Sequence, residues 1–97
     1  MTLDDFKTSL AQDAPPAGLS MPLQALWWAG KDDWDKAHRL VMQSEGADAA
    51  WVHAYLHRVE GDLPNAHYWY RQAKREPATT ELDVEWDAIA RAMLAAR

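Results

Sequence analysis

Gly61-Asp62-Leu63-Pro64-Asn65-Ala66, followed by Tyr70 and Ala73, is the stretch of this 97-residue chain on which the fold turns. Glycine relaxes the backbone and stops one helix, aspartate caps the next, and proline fits a first helical turn where its missing N–H costs nothing. Upstream, Ala49 to Glu60 carries Val52, Tyr55, Leu56 and Val59 on one side. Downstream, Ala66, Trp69, Tyr70 and Ala73 predict a helix that ends near Pro77 with a basic last turn of Arg71, Lys74 and Arg75, which complements the negative end of the helix dipole. The stretch is therefore the turn of a helical hairpin.

Sliding the chain along itself by 29 residues brings a second hairpin into register. Ala25 falls on Ala54, Asp33 on Asp62, Ala37 on Ala66, His38 on His67 and Gln43 on Gln72, while Leu23, Leu26 and Trp27 fall on Val52, Tyr55 and Leu56. Matched alanines let two helix backbones approach closely, and the bulky residues a turn away fill the groove beside them. The first hairpin has one helix from Leu19 and Pro22 to Gly30, then a second from the acidic turn Asp32-Asp33 to about Ser44. Two further helices flank the pair. Thr2 to Asp13 opens with a capping-box pattern and ends before Pro15, Pro16 and Gly18, and Thr80 with Glu81 and Asp83 announces a last helix through Trp86, Ile89, Ala90, Met93 and Leu94. No segment alternates as a strand does.

Small, aromatic and small residues at Ala66, Tyr70 and Ala73, after Gly61 at the turn and Ala54 in mid-helix, resemble the tetratricopeptide repeat. The earlier copy presents Ala25, Asp32, Ala37, Val41 and Ser44 at those places, and the period is 29 rather than the family's usual value of about 34. The run Trp51 to Arg71 is also similar to small bacterial proteins of unassigned function, which implies no activity. The expected fold is all-α: one domain with an N-terminal helix and linker (1–18), a first hairpin (19–46), a second hairpin (47–77) and a C-terminal helix (78–97), the two end helices acting as caps.

Composition narrows the function. Ten Lys+Arg against fifteen Asp+Glu give a formal charge of −5, and the basic residues form no stripe of the kind nucleic-acid binding needs. The absence of cysteine excludes disulfides, zinc–thiolate sites and thiol nucleophiles. No stretch approaches the roughly 20 apolar residues of a membrane helix, and Met1 to Lys7 lacks a basic leader, so a cytoplasmic chain is expected. No phosphate loop, nucleophile elbow or His-Glu-x-x-His pair occurs, and no catalytic residue is assigned.

Binding is the class of activity that remains, and the candidate residues lie on the second hairpin. His53, His57 and Glu60 share one narrow helix face and have the chemistry of a divalent-metal site. Paired histidines at helical spacing are common without metal, so packing is the preferred reading and no metal or cofactor is expected. His38 and His67 hold equivalent places and should share a structural role. Tyr68, Trp69 and Tyr70 point three ways from one helix, so at least one meets another helix, a partner or water. With Trp51, Tyr55, Arg58 and Arg71 they are candidates to line a groove for an unidentified protein or peptide. The alternative is a small-ligand or metal site built from the same histidines and aromatics. Trp86, Ile89 and Met93 form a broad apolar face on the last helix and are candidates for pairing with a second copy of the chain. The series Glu81, Asp83, Glu85, Asp87 reads as a solvated helix start.

Overall fold

Four of the helices begin where a side chain takes up an N–H group that an N-terminus leaves open. In the computed structural model, which describes residues 1–96, α1 (Leu3–Thr8) opens on a reciprocal capping box between Thr2 and Asp5 and runs into a 3₁₀ turn at Ser9–Ala11. Ser20 caps α2 (Met21–Gly30), with Pro22 in the first turn. Asp33 caps α3 (Trp34–Met42), and Gly46 precedes α4 (Ala47–Val59). Asp62 caps α5 (Leu63–Gln72), and α6 (Leu82–Ala95) follows a non-helical segment. Among the described residues no strand occurs, and no helix is long and apolar enough to cross a membrane.

The α2–α3 and α4–α5 turns have the same conformation. Asp32 (φ 62°) and Gly61 (φ 84°) both take the left-handed form. The next residues, Asp33 and Asp62, sit at φ −100°, ψ 76° and φ −90°, ψ 77°, and each accepts a hydrogen bond from the N–H three residues on. Their own N–H groups reach back to Trp28 O and His57 O, both at 2.9 Å, closing each preceding helix with a Schellman pattern. Gly61 meets this conformation without strain; Asp32 belongs to the few residue types that tolerate it.

α5 stops at Gln72, five residues before the expected end near Pro77. Lys74 turns left-handed (φ 59°) and Arg75 N–H bonds Tyr70 O at 3.0 Å, so the chain has left the helix before Pro77 disfavours helical geometry at Glu76. Only Arg71 of the three basic residues lies in the last turn.

α4 is the central element. It packs on α2, α3, α5 and α6, and every residue from 49 to 57 is buried. α6 lies across α2 and α4, with α1 against it, and the Cα radius of gyration is 12.2 Å. Ala25, Ala37, Ala54 and Ala66 are all fully buried, which is how α2 nears α3 and α4 nears α5. Leucine at either of the last two inserts three carbons where backbones touch. Ala54→Leu and Ala66→Leu should each destabilise the chain by about 1–3 kcal/mol in chemical denaturation; unchanged midpoints for both would mean that these contacts have room to spare.

The apolar face of α6 is not free for a second copy. Trp86, Ile89 and Met93 are buried within the single chain. Trp86 stacks on Phe6 at 5.4 Å and donates its ring N–H to Leu26 O at 2.9 Å, so the surface proposed from sequence for self-association is an internal interface. α6 turns inward because α1, α2 and α4 leave a matching apolar face uncovered.

Candidate binding site

α4 presents its polar side chains in two directions. On the side toward α6, Arg58 donates through Nη1 to Glu85 Oε1 at 2.9 Å and through Nη2 to Thr80 O. Tyr70 O–H donates to the other oxygen of Glu85 at 2.5 Å. Glu85 is 3 % exposed, so it is no part of a solvated acidic start. Its spacing shows why: Glu85, Ile89 and Met93 form one i, i+4, i+8 line down the buried face. Trp51 is buried beneath Arg75, whose guanidinium lies 3.3 Å from the ring centroid, and Tyr55 is buried on the same side. Burial, then the Glu85 charge, pushes the Tyr55 phenol up to about 12. Trp51, Tyr55 and Arg58 thus belong to the seam between α4 and the chain that follows α5, not to one open groove with Tyr68 and Arg71. Those two lie on the exposed outer face of α5, with the Arg71 guanidinium 5.9 Å from the Tyr68 ring.

On its other side α4 brings His53 and His57 against a third imidazole, His38 of α3. His38 Nε2 and His53 Nε2 are 3.1 Å apart, and one nitrogen from each of the three rings lies within 4.8 Å of the other two. Aromatic plates hold the rings from both ends: Trp34 stacks on His38 at 4.6 Å and Trp69 on His53 at 3.9 Å. Trp34 is itself fixed by its ring N–H on Leu56 O at 2.7 Å. His57 stacks on His53 at 4.8 Å, and its Nδ1–H donates to Glu60 Oε1 at 2.6 Å. His67, which the register makes equivalent to His38, is exposed, so the two do not share a role. α3 packs against α4 on the face that carries the histidines, whereas the His67 side of α5 meets water.

Burial, then the neighbouring His57 and His38, lowers the His53 imidazole to about 4; burial and His57 also lower His38. The unfolded chain takes up a proton at about 6.5 that folded His53 resists. Its contribution to stability is therefore complete above about pH 6.5 and is lost as pH falls toward 4. The metal-free protein should lose on the order of 2–3 kcal/mol between pH 7 and 4 from this ring alone, and His53→Gln should flatten the slope. A pH-independent denaturation midpoint across that range would contradict the buried neutral ring.

Beside the cluster a groove of about 580 Å³ runs between the end of α3, the start of α4 and the end of α5. Val41, Ala49, Ala50, His53 and Trp69 form its inner wall; Met42, Glu45, Gln72 and Lys74 form an exposed rim. Of the residues singled out in the sequence, only His53 and Trp69 face it. Trp34, His38 and Met42 were missed as site residues. His38 has one local partner, Trp34 four residues earlier on the same helix, whereas His53 and His57 reach it from α4; nothing in the sequence around Met42 marks it.

Comparison with family models, curated proteins and solved structures finds no match to this chain, so the chemistry rests on the site's own geometry.

Proposed function

We propose that the chain is a tetratricopeptide-like module of two repeats, α2–α3 and α4–α5, capped by α1 and α6, and that it works by holding a peptide segment of a partner protein. The repeat reading is supported by the matched turns at Asp32-Asp33 and Gly61-Asp62 and by the buried alanine pairs 25/54 and 37/66. The groove between α3, α4 and α5 carries the functional reading. Its inner wall is apolar and aromatic, its rim offers Glu45, Gln72 and Lys74, and Met42 stands 64 % exposed at its edge. An apolar floor gives affinity, a few polar rim groups fix orientation, and methionine adapts its shape to the side chain it meets.

Selection from a displayed peptide library, followed by amide chemical-shift mapping, tests the reading. Selected peptides should shift Met42, Ala47, Gln72 and the Trp69 indole, and Met42→Glu with Lys74→Glu should weaken binding at least about tenfold without altering the fold. Peptides that map to another face, or that bind the double variant as well as the parent, would refute it.

A further inference from the structure

We propose that His38, His53 and His57 form a site for one divalent transition-metal ion, zinc being the best fit, with a water completing its coordination. From sequence, His53 and His57 are only a pair on one helix; the fold adds a third imidazole from α3. In a tetrahedral site with Zn–N of about 2.05 Å, neighbouring ligand nitrogens stand about 3.3 Å apart. His38 Nε2 and His53 Nε2 are 3.1 Å apart, and one nitrogen from each of the three rings lies within 4.8 Å of the other two, so small rotations of the rings close the triangle. With no cysteine in the chain, the donor set is purely imidazole, which suits zinc, copper or nickel and not a soft thiophilic ion.

Each ring is also oriented by a group outside the cluster, as metal-ligating histidines are. Trp34 backs His38, Trp69 backs His53, and the Glu60 carboxylate accepts the Nδ1–H hydrogen bond of His57, which leaves Nε2 as that ring's lone-pair nitrogen. Without an ion, a proton between the two Nε2 atoms joins His38 to His53. When an ion binds, the ring carrying that proton adopts its Nδ1–H tautomer, so both lone pairs face the metal and no proton is lost from the pair. A hydrogen bond alone needs two rings; the third, bonded instead to Glu60, is what packing leaves unexplained. His38 is only partly buried and Glu60 is exposed, which gives the ion a way in.

The test is titration of the metal-free full chain with zinc chloride, and with cobalt(II) as a spectroscopic substitute. One ion per chain should bind, cobalt should show the intense visible bands of a tetrahedral site, and Tm should rise by at least about 5 °C at a hundredfold excess over Kd. His38→Gln should weaken binding at least about a hundredfold, Glu60→Gln about tenfold, and His67→Gln not at all. Should His38→Gln fail to fold, the imidazole resonances of the parent decide: those of His38, His53 and His57 must shift together on adding zinc while His67 stays still. No binding at about 0.1 mM zinc, binding unchanged in folded His38→Gln, or binding abolished by His67→Gln would overturn the proposal.

Discussion

Trp86→Glu is expected to unfold most of the chain at room temperature. Trp86 is 6 % exposed, stacks on Phe6, donates to Leu26 O and presses its ring against Gly30, where even a Cβ would stand 3.0 Å from Trp86 Cζ2. Deleting a buried tryptophan costs about 3–5 kcal/mol, and the new carboxylate adds a charge that must be desolvated in an apolar surrounding. A chain of this length has a total stability of about 5–15 kcal/mol, so the sum consumes most of it. Trp86→Phe, which keeps a ring against Phe6 and loses the hydrogen bond and some volume, should retain the fold with a lowered Tm. If α6 instead served to join two copies, Trp86→Glu would give a stable, helical chain of reduced mass. Light scattering with circular dichroism separates these outcomes.

How much of this was legible depended on how local each signal was. Caps and turns are settled by residues three or four apart, and Thr2-Asp5, Asp33 and Asp62 mark helix starts that the structure places within a residue. The end of α5 was misjudged because the basic residues suggested a last turn, while Lys74 left the helix on its own backbone. His53, His57 and Glu60 were legible as one helix face, but the partner that matters, His38, lies 15 positions away and joins only when α3 packs on α4. The register that sets Ala25 and Ala37 against Ala54 and Ala66, all four fully buried, also sets the half-buried His38 against the exposed His67, since matched positions in a sequence need not have matched surroundings. For Trp86, Ile89 and Met93 the sequence shows an apolar face; whether that face meets another helix or another molecule is decided by what α1, α2 and α4 leave uncovered.

Glu85 is where reading by composition failed most, and its replacement should have the second largest effect. The carboxylate holds Arg58 on one oxygen and Tyr70 on the other, and all three side chains sit between α4, α5 and α6. Glu85→Ala leaves a guanidinium that is 16 % exposed with only Thr80 O and takes the acceptor from a phenol on a residue 2 % exposed, and removing one member of a buried pair costs about 3–5 kcal/mol. Arg58→Ala should cost a similar amount, and the double variant clearly less than the sum, because the two losses share one interaction. Replacing the whole set, as Arg58→Met with Tyr70→Phe and Glu85→Leu, should recover most of the lost stability, since no polar group is then left buried alone. pH offers a second readout. Burial and then the hydrogen bond to Glu85 raise the Tyr70 phenol well above its ordinary value, and Tyr55 is pushed up to about 12. Folded pKa values above those of the unfolded chain mean that this stability is complete below about pH 10 and is lost as pH rises beyond it. Alkaline unfolding should therefore set in above pH 10 in the parent and be blunted in the triple variant, which keeps only Tyr55 of the two. Additive losses in the double variant, or an alkaline limb unchanged by the triple replacement, would mean that Arg58, Tyr70 and Glu85 are neighbours without being a unit.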